Sequence, residues 1–175
     1  MKIIKKILLI LVIIVALVLI VAIFLPANVK VVRTIEINKP VEQVYLTLST
    51  FQGRSSWDPW LETEPTANVT VSSDSGVGAF YEWDGEKLGA GKMTIKEVIP
   101  NRLIKSELTF LRPQTSSADV TWLLKPTATG TETSWVFESA LGYPVERIMG
   151  LFFESMLGPD LERGLSNLKK VLEKS

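Results

Sequence analysis

The sequence contains no histidine and no cysteine among its 175 residues. Without them the protein has no Ser-His-Asp triad, no Cys-His pair, no imidazole or thiolate metal ligand and no disulfide. Any catalysis would depend on carboxylates, hydroxyls, lysine or arginine, and the sequence shows no recognisable set of catalytic residues. We therefore expect no metal site and no cofactor.

The chain also lacks an excess of either charge, with 19 basic and 19 acidic side chains. This balance is an average over two unlike segments, because Lys2, Lys5 and Lys6 are the only charged residues before residue 26. Without these three lysines, residues 26–175 carry 16 basic and 19 acidic groups, a net charge of −3. Nucleic acid is not an expected partner, because phosphate binding needs a basic excess.

Hydrophobic residues make up 46% of the chain and are concentrated at its N-terminus, where Ile7–Leu25 is an uninterrupted apolar run of 19 residues. As a helix, this run would be roughly 28 Å long at about 1.5 Å per residue, close to the thickness of a bilayer's hydrocarbon core. A helix also satisfies its own backbone hydrogen bonds in lipid. We therefore predict one transmembrane helix, about residues 7–25, within an N-terminal anchor of residues 1–26.

The charges that flank the apolar run predict its orientation. Lys2, Lys5 and Lys6 precede the run, which favours a cytoplasmic N-terminus and an extracytoplasmic domain in a single-pass membrane protein. The alternative is a cleaved signal peptide, but the run exceeds the usual length of about 7–15 residues. Leu25-Pro26-Ala27 is also a poor cleavage site, so an uncleaved anchor is favoured.

Residues 27–175 form one expected domain, in which alternating patterns predict strands and a longer period predicts helices. The first strand is predicted over residues 29–38, followed by a helix that begins at Pro40 and a short Trp-rich segment from about Gly53. Turn sequences then separate six alternating runs, which together predict an antiparallel meander. These runs are residues 67–73, 78–84, 90–99, 102–111, 117–125 and 131–140.

The C-terminal part, from Pro144, has apolar residues at helical spacing as far as Leu172. Gly158-Pro159 interrupts this pattern, and we expect a kink or a break there because proline cannot donate a backbone hydrogen bond. An apolar helix face and a sheet with one apolar face bury each other most simply when the helix lies across the sheet.

Several motifs in this order resemble those of the START-like or SRPBCC superfamily, in its polyketide cyclase/dehydrase-like branch. The resemblance covers roughly residues 29–174. It is carried mainly by Ile35–Tyr45 at the entry to the first helix, by Trp57-Asp58-Pro59-Trp60, by the Trp83-Asp84-Gly85 turn and by the ending Gly158–Lys169. It implies an α+β helix-grip fold, in which a curved antiparallel sheet of about seven strands wraps a long C-terminal helix. It also implies a hydrophobic tunnel between the sheet and that helix.

The aromatic residues and the inward positions of the strands are the candidate ligand-binding residues, since aromatic side chains around an apolar space are typical of a ligand pocket. Core packing is the alternative interpretation for each of them. The candidates are Trp57, Trp60, Tyr81, Trp83, Met93, Ser106, Leu108, Phe110, Trp122, Trp135, Phe137, Phe152 and Met156. The family's layout also suggests that Trp57 and Trp60 lie near one mouth of the tunnel.

The sequence thus favours a membrane-anchored protein that binds a hydrophobic or lipid-like small molecule between the sheet and the C-terminal helix. The first alternative is a polyketide cyclase/dehydratase-like enzyme, which needs polar groups inside the tunnel. Its candidates are Tyr81, Ser106 and Thr133, with Glu97 added if the strand after Gly91 is bulged. The second alternative is a sensor or assembly module without a ligand.

Overall fold

The computed structural model describes residues 2–174, so the first residue of the expected anchor 1–26 and the last residue of the expected domain 27–175 lie outside it. Three helices, a 3₁₀ turn and seven strands follow one another in the described part of the chain. Their bounds are α1 Lys2–Phe24, β1 Asn28–Ile37, α2 Val41–Leu48, the 3₁₀ turn Arg54–Ser56, β2 Asn68–Val71, β3 Phe80–Asp84, β4 Ala90–Ile99, β5 Leu103–Arg112, β6 Ser116–Pro126, β7 Thr131–Ala140 and α3 Val145–Lys174.

The strands form one sheet in the order β1-β7-β6-β5-β4-β3-β2, and every neighbouring pair is antiparallel. Strands β2 to β7 form a meander in which each strand pairs with the next in sequence. The last strand, β7, also pairs with the first, β1, along the whole length of β1. With α3 packed on this sheet, the structure confirms the predicted α+β helix-grip fold.

The alternation of side chains along the strands gives the sheet one buried face, as the sequence predicts. Met93 and Ile95 of β4, Ile104 of β5 and Val120 of β6 are each 4% exposed or less. The alternate positions on the other face carry cross-strand ion pairs. These are Lys92–Glu82, Lys96–Glu107 and Lys105–Asp119.

The C-terminal half of α3 packs into the core formed by the buried face of the sheet. Leu161, Leu165 and Leu168 are each at most 2% exposed. Gly164 lies between them at a close approach, where an added Cβ would be 2.7 Å from the Trp135 ring and 3.1 Å from Pro59. A residue without a side chain therefore allows α3 to come this near to the sheet.

The helix does not break at Gly158-Pro159, which was one of the two expected outcomes, and α3 is a single helix with Pro159 inside it. Arg33 of β1 explains why the helix continues, because its guanidinium binds Glu154 at 2.6 Å and Glu162 at 2.5 Å. These two glutamates lie on either side of the proline. Arg33 also packs against Gly158, so an external ion pair bridges the position where proline removes a backbone donor.

Helix α1 projects from the domain, and nearly all of its large apolar side chains are exposed. Ile3–Phe24 is long and apolar enough to cross a membrane, a property that membrane anchors share with N-terminal signal sequences. The helix contacts the domain at the start of α3. There the Tyr143 hydroxyl donates to the Leu19 carbonyl at 2.9 Å, and Arg147 approaches the Ile23 carbonyl at 3.5 Å.

The close approach at Gly164 predicts that Gly164→Ala lowers the free energy of unfolding by about 1–3 kcal/mol, because the new methyl group overpacks rigid ring atoms. Gly150→Ala is the matched control in the same helix, since its Cβ would meet only the end of the flexible Leu141 side chain. Denaturant unfolding followed by tryptophan fluorescence measures both. Equal destabilisation by the two substitutions would contradict the role given to Gly164.

Candidate functional site

A cavity of about 150 Å³ lies between the sheet and α3. Its wall is mostly aromatic and aliphatic, and Arg54 and Asp58 are its charged members. The lining residues are Arg54, Asp58, Trp60, Tyr81, Trp83, Leu88, Met93, Leu108, Phe110, Val120, Trp135, Phe137, Leu157 and Leu161. Drug-sized ligand pockets are about 300–1,000 Å³, so this volume accommodates a small ring system or one part of a longer molecule.

Eight of the thirteen predicted ligand-binding residues lie in this wall, contributed by four strands and by the segment after the 3₁₀ turn. They converge because alternate residues of neighbouring antiparallel strands point to the same face of the sheet. These eight are Trp60, Tyr81, Trp83, Met93, Leu108, Phe110, Trp135 and Phe137.

The other five predicted residues lie outside the cavity wall. Trp57, Ser106 and Trp122 are buried in the core, each at most 3% exposed. Trp57 therefore lies in the core and not at a cavity mouth. Phe152 and Met156 are 58% and 65% exposed, because the adjacent positions of α3, Phe153 and Leu157, face the sheet instead.

Four tryptophans form one cluster beside the cavity. Trp122 and Trp135 stack with ring centroids 4.4 Å apart, and Trp57 and Trp60 each meet the Trp135 ring edge-on at about 6 Å. Trp135 is 1% exposed, and its indole Nε1 has no hydrogen-bond partner within residues 2–174. The cavity wall thus includes a residue with an unused hydrogen-bond donor.

The sequence pattern did not identify the buried ion pair of the cavity wall, Arg54–Asp58. Gly53, with a left-handed φ of 75°, starts the 3₁₀ turn at Arg54. The backbone N–H of Asp58 then donates to the Arg54 carbonyl at 2.9 Å, so the two residues lie one turn apart. The Arg54 Nε donates to Asp58 Oδ2 at 2.7 Å, and the two side chains are 4% and 2% exposed. The backbone N–H of Trp60 donates to the other carboxylate oxygen at 3.0 Å.

Aromatic rings surround the Arg54 guanidinium, whose Cζ lies 4.9 Å from the Trp57 ring centroid and 5.1 Å from that of Tyr81. Such contacts favour a buried cation. The pair Arg54–Asp58 has no net charge, so the cavity has a polar end that is electrically balanced. Asp58 is visible in the Trp57–Trp60 motif, but nothing in the sequence shows that its partner is Arg54.

Among the predicted hydroxyl candidates, Tyr81 is the one that lies in the cavity wall. Burial, with the nearby Asp58 carboxylate as a smaller cause, raises the pKa of Tyr81 to about 12. Its phenol is therefore neutral at physiological pH and serves as a hydrogen-bonding group. Because so little phenolate forms at this pH, Tyr81 is a poor general base.

The other polar candidates for catalysis lie elsewhere. Ser106 and Thr133 are buried at 2% and 0% exposure but are not part of the cavity wall. A register shift between Ile95 and Glu97 shows that β4 is bulged, yet Glu97 is exposed. The bulge therefore exists, as Glu97 would need in order to turn inward. The Glu97 side chain nevertheless does not reach the cavity.

Glu64 holds the β3–β4 turn that supplies Leu88 to the cavity wall. Its carboxylate accepts hydrogen bonds from the backbone N–H groups of Glu86 at 2.8 Å, Lys87 at 3.0 Å and Leu88 at 2.9 Å. These bonds lower the pKa of Glu64 below its ordinary value, and the bond from Leu88 has the largest effect. The ionised carboxylate thus fixes one edge of the cavity.

The curved sheet, the helix packed across it and the apolar cavity between them define the helix-grip class of proteins. The profile of the family described as "Polyketide cyclase / dehydrase and lipid transport" matches residues 28–173, and the chain belongs to this family. That description covers ligand-binding and cyclase-like domains. A search among curated proteins gives no match.

Solved structures share the fold at low sequence identity. An uncharacterised protein from Rhizobium leguminosarum is 17% identical with a TM-score of 0.63, over 85% of this chain and 96% of that one. CV1439 from Chromobacterium violaceum is 18% identical with a TM-score of 0.60, over 85% and 98%. The di-domain ARO/CYC protein StfQ of the steffimycin biosynthetic pathway is 14% identical with a TM-score of 0.61, over 85% and 51%.

The buried ion pair predicts that Asp58→Asn destabilises the protein by about 3–5 kcal/mol, because the Arg54 charge would stay buried without a counter-ion. Asp160→Asn is the control, since Asp160 pairs with Arg163 at the surface and its loss should cost less than about 1 kcal/mol. Denaturant unfolding of both variants measures the difference. Similar losses would show that the burial of the pair has little energetic consequence.

The Glu64 contacts predict a local effect of pH. Because the pKa of Glu64 is lowered on folding, its stabilisation is present above the ordinary carboxylate pKa and is lost as pH falls through the lowered value. Glu64→Gln should remove it at all pH values and accelerate amide hydrogen exchange at residues 86–88. Glu62→Gln, an exposed neighbour, should leave that exchange unchanged. Equal exchange in both variants would refute the assignment.

Proposed function

We propose that the protein is a membrane-anchored binding protein for a hydrophobic or amphipathic small molecule, such as a lipid. The apolar, aromatic-walled cavity between the sheet and α3 is the observation that carries this proposal. Affinity would come from burial of apolar surface, at about 25 cal/mol per Å², and from contacts with aromatic rings.

The balanced charge of the polar end favours a particular kind of ligand. Arg54 and Asp58 already neutralise each other, so the cavity offers no net charge to a ligand ion. Outside that pair the wall carries the Tyr81 hydroxyl and three indole N–H groups, of which that of Trp135 has no hydrogen-bond partner within residues 2–174. A neutral head that accepts hydrogen bonds, joined to an apolar body, fits this arrangement best.

The apolar helix α1 and the three lysines before it support the membrane part of the proposal. In it, α1 spans the bilayer with a cytoplasmic N-terminus, residues 1–26 form the anchor and residues 27–175 form an extracytoplasmic domain. The tether would keep the cavity close to the phase in which apolar ligands dissolve. The membrane is thus the proposed source of the ligand.

A cyclase-like activity is the second candidate. The likeness to the ARO/CYC protein StfQ and the cluster of Arg54, Asp58 and Tyr81 in one cavity wall favour it. Binding fits the geometry better, because the phenol of Tyr81 is neutral and Asp58 is held by Arg54 and by the backbone of Trp60. The Asp58 carboxylate is thus engaged within the protein and does not face a substrate alone.

The five tryptophans provide a direct test of binding in the cavity. We expect 1-naphthol, a small neutral aromatic alcohol, to shift the indole N–H signals of Trp60, Trp83 and Trp135 in ¹⁵N-labelled full-length protein in detergent micelles. Trp57 and Trp122, which lie outside the cavity wall, should shift much less. Uniform shifts or none at the three wall residues would count against the proposal.

A pair of substitutions in α3 separates the cavity from the surface. Leu157→Trp should fill the cavity and weaken naphthol binding at least tenfold, because Leu157 is part of the wall. Ser155→Trp introduces the same side chain at an exposed position of the same helix and should leave binding unchanged. Equal affinities would place the ligand elsewhere.

Mass spectrometry of lipids that copurify with the full chain is a separate measurement, and it would identify the class of the natural ligand.

A further inference from the structure

The first turns of α3 and the residues before them expose an unusual amount of apolar surface. Their side chains are between 49% and 62% exposed, although the helix belongs to the family's ligand-binding domain. Isolated apolar residues are common on protein surfaces, whereas a contiguous set marks an interaction site. Val145, Met149 and Phe152 follow one another at helical spacing and so share one face of α3. We call this face, together with Tyr143 just before the helix, the anchor-side patch.

The elements around the patch share one direction. Along β1 and α3, Arg33 pairs with Glu154, and further on the backbone N–H of Asn38 donates to Glu173 at 2.8 Å, so the two run the same way. Helix α1 precedes β1 by only three residues. The backbone N–H of Leu141 donates to the Ala27 carbonyl at 2.8 Å, which fixes that connection to the end of β7.

The contacts of α1 determine the height of Tyr143 and of the start of α3 relative to that helix. Tyr143 reaches the carbonyl of Leu19, five residues before the end of α1 at Phe24. At 1.5 Å per residue, this contact lies about 7–8 Å inside the apolar helix. Helices that lie in a membrane interface bury their apolar face by about 5–10 Å. The start of α3 is therefore at interfacial depth if α1 spans the bilayer.

The chemistry of the patch matches that boundary. Tyr143 combines an apolar ring with a hydroxyl, as tyrosines of membrane interfaces do. Arg147 lies next to it, with its guanidinium Cζ 5.7 Å from the centroid of the Tyr143 ring. A lipid phosphate is a suitable acceptor for such a guanidinium. Lipid thus complements both the apolar side chains and the arginine.

The cavity approaches this same end of the domain. At the end of the sheet where β1 begins, Asn28 pairs with Ala140 of β7. Phe110 of β5 pairs with Ser116 of β6 at this same end. Gln114, in the turn that joins β5 to β6, lies 3.5 Å from Glu146 at the start of α3. Phe110 is part of the cavity wall, so the cavity reaches the end of the domain that carries the patch.

We infer that the anchor-side patch docks onto the bilayer that holds α1, so that the cavity faces the lipid from which its ligand comes. This inference rests on the membrane anchor of the proposed function and names the docking surface that the anchor serves. Apolar molecules would then move between bilayer and cavity without crossing water. A cavity of about 150 Å³ could hold one end of a lipid whose remainder stays in the membrane.

The absence of cysteine makes the test straightforward, because single cysteines can be introduced into the full chain. Val145→Cys and Phe152→Cys place an acrylodan label on the patch, and Ile99→Cys places it on an exposed apolar residue at the opposite end of the sheet. Ile14→Cys in α1 reports on the anchor. Each labelled protein is reconstituted into phosphatidylcholine vesicles that contain nitroxide-labelled lipid.

We expect the labels at positions 145 and 152 to be quenched at least twofold and shifted to the blue, and the label at 99 to be unchanged. If α1 is quenched at position 14 but either patch label behaves like the label at 99, docking is wrong while the anchor stands. If position 14 is not quenched, both the anchor and the docking surface are refuted. Binding of 1-naphthol in the cavity is measured separately and does not depend on these outcomes.

Discussion

The burial of the C-terminal half of α3 against the curved sheet is the contact on which the rest of the domain depends. Leu161, Leu165 and Leu168 supply the apolar stripe, and Gly164 lets the helix backbone approach Trp135. Close packing of this kind leaves few voids in a protein interior. The cavity lies where this packing stops, towards the first half of α3, and its aromatic wall is a continuation of the same core.

Much of the fold follows from local periodicity and could therefore be predicted from the sequence. Alternation along β4 to β7 identified both the strands and their buried faces, because side-chain direction in a strand repeats every two residues. The long C-terminal helix was identified for a similar reason. The possible break at Pro159 was wrong, because a local rule cannot include Arg33, which reaches the helix from a strand more than a hundred residues earlier in the chain.

The composition of the site was less accessible to sequence reasoning. Aromatic content pointed to the region of the cavity, but Trp57 and Trp60 are three residues apart and only Trp60 lines it. The Arg54–Asp58 pair escaped notice, because charged residues are expected in solvent unless a partner is known. Phe152 was expected to point inward, since an apolar residue on an amphipathic helix usually does. The same helical spacing also suits a face that contacts lipid, so the sequence pattern does not distinguish the two.

The proline inside α3 also divides the helix energetically. Beyond Pro159 the helix is clamped by buried leucines, whereas before it most large side chains are exposed and few contacts would be lost on fraying. Proteins open locally in units whose free energies follow such differences in burial. Local opening of α3 is therefore expected to begin in its exposed first turns, ahead of Phe153 and Leu157, while the buried leucines beyond Pro159 stay packed on the sheet.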